Sequence, residues 1–418
     1  MMQMQVDIVV IGGGPAGLAA ALKAKKLGTK KVLVLERDTE LGGILQQCIH
    51  DGFGIHRFGK RMSGNQYAQA FIDEVEKTDV ELKLDTMVLE VTPDRKVYAC
   101  NKYDGMLEIQ AGAVILAMGC RERTASQVFI YGDRPAGVLT AGSVQRYINI
   151  EGHLPGNRAV ILGSGDIGLI MARRMTLEGI SVQGVYEVMQ NPGGLTRNIV
   201  QCLDDYDIPL HLSTTVTQVH GRRRVEAVTV AKLDENRKPI SGTEERIECD
   251  LLVLAVGLIP ENELSRNAGI EIDPRTKGPV LDNSFMTSVP GIFAAGNVAV
   301  VFDLVDYVSL SGEIAAQGAV DFLESRIPGN RQYQAVEIAE NVNFVVPQRI
   351  CPCQEKVTFF MRVKEPKKVS ELKCTTENET LLKKTCHYIA PPEMLTFELN
   401  SCGSEPVTVA MKKGEEKL

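Results

Sequence analysis

Residues 6–28, VDIVVIGGGPAGLAAALKAKKLG, followed by KVLVLER at 31–37, decide the fold. Val6 to Ile11 has the length and β-branched content of a buried parallel strand. It is closed by Gly12, Gly14 and Gly17 in G-x-G-x-x-G spacing, with Pro15 and Ala16 inside the motif. Gly12 permits a tight turn, Gly14 lets the backbone approach a pyrophosphate, and Gly17 lets the next helix pack close to the strand. The helix N-terminus then turns its amides and positive dipole end towards phosphate. Glu36 ends the following strand nineteen residues after Gly17, with Arg37 beside it. An acid there accepts hydrogen bonds from the hydroxyls of an adenosine ribose, which completes a dinucleotide fingerprint.

The pattern recurs. RAVILGSGDIGLIMARRMTLEG at 158–179 predicts a strand over Ala159–Leu162, then Gly163, Gly165 and Gly168 in the same spacing with Asp166 and Ile167 between them, then a helix. The next strand, SVQGVYE, ends in Glu187, again nineteen residues after the third glycine. Two such units imply two dinucleotides. Glu187 would repel a 2′-phosphate and no arginine immediately follows it, so NAD(H) is expected rather than NADP(H).

Around these units the sequence predicts a helix over 65–77, strands over 81–91, 96–101 and 106–110 with a hairpin turn at Asp104-Gly105, and a returning strand in AGAVILAMG that ends at Gly119. The second unit closes in CDLLVLAVG at Gly257, GIFAAGNV reaches Gly296-Asn297, and a helix is expected over 312–324. Beyond Pro328-Gly329, the runs NVNFVVP, KVTFFMRV, ETLLKKT, MLTFELN and PVTVAMK predict a small β-sandwich or sheet, read as a docking domain for the same or another chain.

Over 418 residues the chain is 44% hydrophobic and 24% charged, an ordinary globular composition with room for two or three domains. A net charge of −7 argues against nucleic acid as a main partner. No signal peptide or transmembrane segment is expected, since the glycines and proline interrupt the first apolar stretch, and the simplest expectation is a cytoplasmic protein. Ten cysteines are dispersed without a C-x-x-C pair, which suits free thiols in a reducing compartment. Cys351 and Cys353, with Cys374, Cys386 and Cys402, invite a metal reading, but a C-x-C pair is poor ligand spacing and no metal is expected.

GGGPAG, Glu36, Gly42-Gly43, ILAMG, GSGDIG, LAVGLIPEN and GIFAAGN occur in an order that resembles the two-dinucleotide-binding flavoproteins of the pyridine nucleotide-disulfide oxidoreductase superfamily. The segment from AMGCRERTASQ to QRYINIEG resembles the α-subunit branch found in heteromeric sarcosine oxidase, dye-linked proline dehydrogenase and hydrogen cyanide synthase. GSGDIGLIMARRMTLEG and GGLTRNIVQCLDD also resemble the flavoprotein that accompanies anaerobic glycerol-3-phosphate dehydrogenases.

The resemblance implies an α/β fold of two Rossmann-like domains, to which the alternating C-terminal runs add a small β domain. It implies an FAD domain of residues 1–122 and 258–328 and an NAD domain of 123–257 inserted in it; the strand pattern beyond them gives a C-terminal domain of 335–418. FAD would meet Gly12, Gly14, Pro15, Ala16, Gly17, Glu36, Arg37, Gly42, Gly43, Val88, Ala117, Gly119, Gly296 and Asn297. Asn297 stands where the superfamily usually has an aspartate on the ribityl chain. NAD would meet Gly163, Gly165, Asp166, Ile167, Gly168, Glu187 and Gly257. The expected activity is hydride exchange between NAD and FAD without a redox disulfide, in the NADH-reactive electron-transfer subunit of a heteromeric glycerol-3-phosphate- or amine-dehydrogenase type enzyme. Its partner would be a substrate-oxidising dehydrogenase subunit, with an iron–sulfur or second flavin protein as a further one, in a homo- or hetero-oligomer. The alternatives are a stand-alone NADH oxidase or peroxidase that uses Cys48, and a flavin-binding assembly subunit. His50 and His56 are expected to be loop hydrogen-bonders, and Cys120, beside Arg121 and Arg123, a structural cysteine at a strand exit.

Overall fold

The opening apolar run becomes the middle of a sheet because other elements cover both of its faces. In the computed structural model, which describes residues 2–326, 332–351, 356–400 and 405–414, the first strand β1 (Met2–Ile11) leads through the glycine turn into α1 (Pro15–Lys26) and then β2 (Val32–Leu35). β1 and β2 pair in parallel, Ile8 with Val32 through Ile11 with Leu35. The helix α2 (Gly64–Val75) is started by a capping box between Ser63 and Gln66 and turns Tyr67, Phe71 and Val75 inward. Then come β3 (Glu81–Lys83), β4 (Met87–Val91), β5 (Lys96–Asn101) and β6 (Gly105–Leu116), in the sheet order β3-β2-β1-β6-β5-β4.

Two expectations are corrected here. The strand expected over 81–91 is broken by Leu84–Thr86, where Asp85 takes a positive φ of 50°. The bend lets Asp85 and Thr86 donate their N–H groups to the Asp38 and Glu36 carbonyls at 3.0 and 2.8 Å. The two strands expected around Ala111 are one continuous strand, because Ala111-Gly112-Ala113 stays paired with β1. Gly112 is small where the chain is crowded: a Cβ there would lie 2.6 Å from the Leu323 side chain and 2.8 Å from the Asp7 carbonyl oxygen.

The chain forms two compact units, one of Met1–Cys120 with Pro260–Leu418 and another of Arg121–Ile259. The second unit repeats the first. β7 (Val138–Thr140), β8 (Arg158–Leu162), β9 (Ser181–Tyr186), β10 (Leu210–His211) and a later strand form a parallel sheet, with the helix α3 (Asp166–Leu177) between β8 and β9 in the chain. The antiparallel strands β11 (Thr214–His220), β12 (Ala227–Lys232) and β13 (Glu245–Glu248) precede that later strand, β14 (Leu251–Leu254). The sheet order is β7-β14-β8-β9-β10.

Returning to the first unit, β15 (Ile292–Ala294) adds in parallel to β6, and α4 (Val305–Leu323) packs against α1. α4 starts seven residues before the expected Gly312, because its first two turns carry Asp306, Ser309 and Ser311 and do not read as an apolar stripe. Among the described residues no helix is long and apolar enough to cross a membrane.

The C-terminal strands form a five-stranded and a three-stranded sheet with an apolar core between them. The five expected strands are present, together with Gln334–Ile338, the short Arg349–Ile350 and Lys367–Thr375, which the sequence did not reveal. In KKVSELKCT the alternation is carried by only Ser370, Leu372 and Cys374, masked by lysines. These strands belong to the first unit and share its core: Phe360 meets the rings of Phe302 and Tyr307 at 5.1 and 5.8 Å, and Met394 N–H donates to Asp303 Oδ2 at 2.8 Å. The expected boundary at Pro328-Gly329 lies outside the described residues.

Candidate dinucleotide sites

The three glycines of the first motif have three different surroundings. Gly12 has a φ of +107°, and a Cβ there would lie 2.4 Å from the Ala117 carbonyl oxygen. A Cβ on Gly17 would lie 1.9 Å from the Gly12 carbonyl oxygen. Both glycines are required by the protein's own packing. A Cβ on Gly14 would meet nothing within 4 Å, and the backbone there is extended, so the polypeptide itself does not call for glycine at that position. Gly14 is also the N-cap of α1 and leaves the first-turn amides without a side-chain acceptor. Open space, free amides and a dipole end converge at one point, which is the cradle that a pyrophosphate would fill.

The second unit has the same three surroundings. Gly163 has a φ of +103° and its Cβ would lie 2.2 Å from the Ala255 carbonyl oxygen, that of Gly168 would lie 2.4 Å from the Gly163 carbonyl oxygen, and that of Gly165 would meet nothing within 4 Å. Gly165 caps α3, again without a side-chain hydrogen bond. The geometry in both units therefore fits a dinucleotide phosphate.

The two acids differ in what they have left to offer. Both are 7% exposed. Glu36 accepts the Gly13 N–H on Oε2 at 2.6 Å and the Asp38 N–H on Oε1 at 2.8 Å. Each carboxylate oxygen accepts two hydrogen bonds, so one position remains on each, enough for both hydroxyls of a ribose. In the second unit Ser164 replaces Gly13. Its N–H and its hydroxyl both donate to Glu187 Oε2, at 2.9 and 2.6 Å, while the Met189 N–H donates to Oε1 at 2.9 Å. One position remains.

Gly42-Gly43 lies against the first turn, with the Gly42 N–H donating to the Gly13 carbonyl at 2.8 Å and a Gly43 Cβ placed 3.2 Å from Gly14 Cα. The second unit repeats this too. Gly193-Gly194 follows Glu187 at the same offset that Gly42-Gly43 follows Glu36. Gly193 N–H donates to Ser164 Oγ at 2.9 Å, and Leu195 N–H and Asn198 Nδ2 donate to Asp166 Oδ1 at 2.9 and 2.7 Å. Ser164, Gly193-Gly194, Asn198 and Ala255 were not found from the sequence, although the repeated offset of the glycine pair was there to be read.

Of the other expected residues, Ala16 faces α4: Cβ atoms built on Gly296 and Gly312 would lie 2.8 Å from its Cβ and 2.2 Å from its carbonyl oxygen. Pro15 occupies the first turn of α1, and Arg37 is exposed. Ile167 packs on the core of its unit. Val88 is buried in β4, just beyond the bend tied to Glu36 and Asp38. Ala117 donates its N–H to the Ile11 carbonyl at 2.8 Å, and Gly119, with a φ of +73°, has nothing within 4 Å of a built Cβ. Gly257, at +104°, lies beside the Arg123 side chain. Asn297 Oδ1 accepts the Phe302 N–H at 3.0 Å, and its Nδ2 approaches Cys120 Sγ at 3.5 Å. Cys120 therefore borders the turn expected to hold the ribityl chain, a non-local contact that no local pattern predicts.

Cys48 is 8% exposed and its thiol points to the Ile44 carbonyl at 3.3 Å. His50 Nδ1 lies 3.3 Å from the Asp51 carbonyl, and the His56 N–H donates to Asp306 Oδ2 at 3.1 Å. No described cysteine forms a disulfide, and no group of three or more potential metal ligands occurs among the described residues. Cys351 is buried with its backbone paired to Asn283, Cys374 lies in the C-terminal core, and Cys353 and Cys402 lie outside the described residues.

The family model described as pyridine nucleotide-disulphide oxidoreductase matches residues 6–318. An opine oxidase subunit of Agrobacterium tumefaciens is 26% identical over 333 residues, which is 75% of this chain and 65% of that protein. Hydrogen cyanide synthase subunit HcnB of Pseudomonas protegens is 26% identical over 335 residues, 75% of this chain and 70% of its own length. The chain thus spans about two thirds of these relatives. Among solved structures, T. acidophilum thioredoxin reductase superposes with a TM-score of 0.62 at 23% identity, over 77% of this chain and 99% of that one.

Proposed function

This chain belongs to the pyridine nucleotide-disulphide oxidoreductase family, whose members are flavoprotein oxidoreductases that bind FAD and NAD(P)H, and from that premise we propose that it is the NADH-reactive electron-transfer subunit of a heteromeric dehydrogenase. The observation that carries the reading is the pair of glycines, Gly14 and Gly165, that face open space at uncapped helix N-termini in two separate units. FAD occupies the first unit and NAD the second. With both bound, the chemistry supplied is hydride exchange between nicotinamide and flavin.

The chain's own part is to bind and orient. Gly13 and Asp38 amides hold Glu36 so that its remaining acceptor positions take the adenosine ribose of FAD, and Ser164 and Met189 do the same for Glu187. The second site prefers NAD(H). Glu187 is followed by Val188, Met189 and Gln190, so a 2′-phosphate would meet a carboxylate with no adjacent cation. The names of the relatives as subunits support assembly with a further subunit, which on this reading oxidises a small amine or alcohol substrate and passes electrons to this flavin.

The competing reading is a peroxidase or oxidase built on Cys48, whose thiolate would need access to oxidant. Its burial and its contact with Ile44 favour a packing role. Cys48→Ser exchanges one small side chain for another of similar size, and it is expected to leave the rate of flavin reduction by NADH within about twofold of the native protein. Peroxide-dependent NADH turnover that is present in the native protein and abolished in Cys48→Ser would replace the electron-transfer reading with the peroxidase.

A further inference from the structure

The two glycine turns differ at the position after their first glycine, which is Gly13 in one unit and Ser164 in the other. At Gly13 the protein leaves no room for a side chain, since a Cβ there would lie 2.6 Å from Leu41 Cδ2 and 3.1 Å from Glu36 Oε2. The corresponding position of the second unit carries a fully buried serine. Its amide repeats the bond that Gly13 makes to its own acid. The hydroxyl is the addition.

That hydroxyl has two partners. It donates to Glu187 Oε2 at 2.6 Å and accepts the Gly193 N–H at 2.9 Å. Amide, hydroxyl and carboxylate form one chain in which each bond polarises the next. With the Ser164 N–H on the same oxygen at 2.9 Å, Oε2 is filled, and the open acceptor position lies on Oε1 beside the Met189 N–H. The carboxylate is thus turned with one defined oxygen towards a ligand. Glu36 lacks this bond and is held by two backbone amides. The relay also reaches the loop beside the phosphate cradle. A Cβ on Gly193 would lie 3.7 Å from the Gly165 nitrogen, and Asp166 Oδ1 holds the far side of the loop through the Leu195 N–H and Asn198 Nδ2.

The two nucleotides make different demands on their acids. FAD reaches its site without a 2′-phosphorylated competitor, so an acid with two open positions suffices. NADH and NADPH differ only by a phosphate on the adenosine ribose. A carboxylate excludes that phosphate when it cannot swing away from it, and one that is already oriented loses less freedom on accepting the ribose hydroxyl. A hydroxyl that fixes Glu187 from behind serves both ends.

We propose that Ser164 is a specificity-determining positioning residue, whose hydroxyl locks the Glu187 carboxylate against the ribose 2′-hydroxyl of NAD(H) and so sets the discrimination against NADP(H). This rests on the assignment of NAD to the second unit.

The test uses the full-length FAD-loaded protein and follows anaerobic flavin reduction over a range of NADH, NADPH and reduced nicotinamide mononucleotide, which lacks the adenosine. Ser164→Ala is expected to raise the half-saturating NADH concentration about tenfold, the scale of one hydrogen bond to a charged group, with the limiting rate kept within about twofold. The preference for NADH over NADPH is expected to fall at least about threefold, and the half-saturating mononucleotide concentration to stay within about twofold. Ser164→Gly, which restores the residue of the first unit, is expected to behave in the same way. In a Glu187→Ala background, Ser164→Ala is expected to add less than about twofold, because its effect runs through the carboxylate. An NADH requirement unchanged by Ser164→Ala, an equal rise for NADH and the mononucleotide, or the full effect in the Glu187→Ala background would overturn the inference and leave the NAD assignment standing. A native protein whose flavin is not reduced by NADH would overturn both.

Discussion

Gly14→Asp is expected to fold with native thermal stability and to bind FAD more than about 100-fold more weakly. Position 14 has extended backbone, the side chain enters open space, and aspartate is a preferred N-cap whose carboxylate suits the dipole end of α1. Nothing in the polypeptide opposes the change. A bound pyrophosphate does oppose it, because two like charges about 4 Å apart at an effective dielectric near 20 repel by about 4 kcal/mol, more than the roughly 2.8 kcal/mol that a 100-fold loss requires. Thermal melting without ligand and FAD titration by flavin fluorescence separate the two effects. A variant that melts normally and still binds FAD tightly would show that the open space at Gly14 is not where the pyrophosphate lies.

Gly12→Val, two residues earlier, is expected to do the opposite and destroy the fold. A β-branched residue would be forced to a φ near +107°, with its Cβ 2.4 Å from the Ala117 carbonyl oxygen at the end of the β1–β6 ladder. Backbone strain of about 1–3 kcal/mol and overpacking of about 1–3 kcal/mol add where neither backbone segment can move. That sum is a large part of the roughly 5–15 kcal/mol that holds a typical protein folded. The expected result is protein recovered mainly in the insoluble fraction, or a melting temperature lowered by at least about 4 °C. A soluble Gly12→Val protein with native melting would contradict the packing argument for the turn.

These opposite outcomes within one motif show what the sequence could and could not tell. The spacing of Gly12, Gly14 and Gly17, and its repeat at Gly163, Gly165 and Gly168, was legible because each position follows a steric rule that acts over a few residues. The acids Glu36 and Glu187 were legible by their fixed distance from the turn. What stayed hidden depends on contacts between distant segments. Ser164 reads as an ordinary small residue until its hydroxyl is seen to bridge Glu187 and Gly193. Asp306 interrupts an apolar run and hides the start of α4, yet it ties that helix to His56. Cys120 reads only as a residue at a strand exit, while its approach to Asn297 joins residues 177 positions apart. The missed strand at Lys367–Thr375 shows the same limit in another form, since its buried face holds only three residues among lysines.

The repeat also extends further than the motifs suggested. A glycine pair follows each acid at the same offset and lies on the glycine turn of its own unit, so the two units share a second structural device as well as the fingerprint. They differ at one position, Gly13 against Ser164, and that difference leaves Glu36 two acceptor positions and Glu187 one. The unit with two positions is the one assigned to FAD.

The central claim is that this flavin exchanges electrons with NAD without a redox cysteine pair in the chain. Anaerobic titration of the FAD-loaded protein with NADH, followed by flavin absorbance, tests it most directly. The account predicts complete bleaching at one NADH per flavin. A requirement for two NADH per flavin would reveal a second two-electron centre such as a disulfide, and absence of bleaching would remove the NADH reaction itself; either result would contradict it.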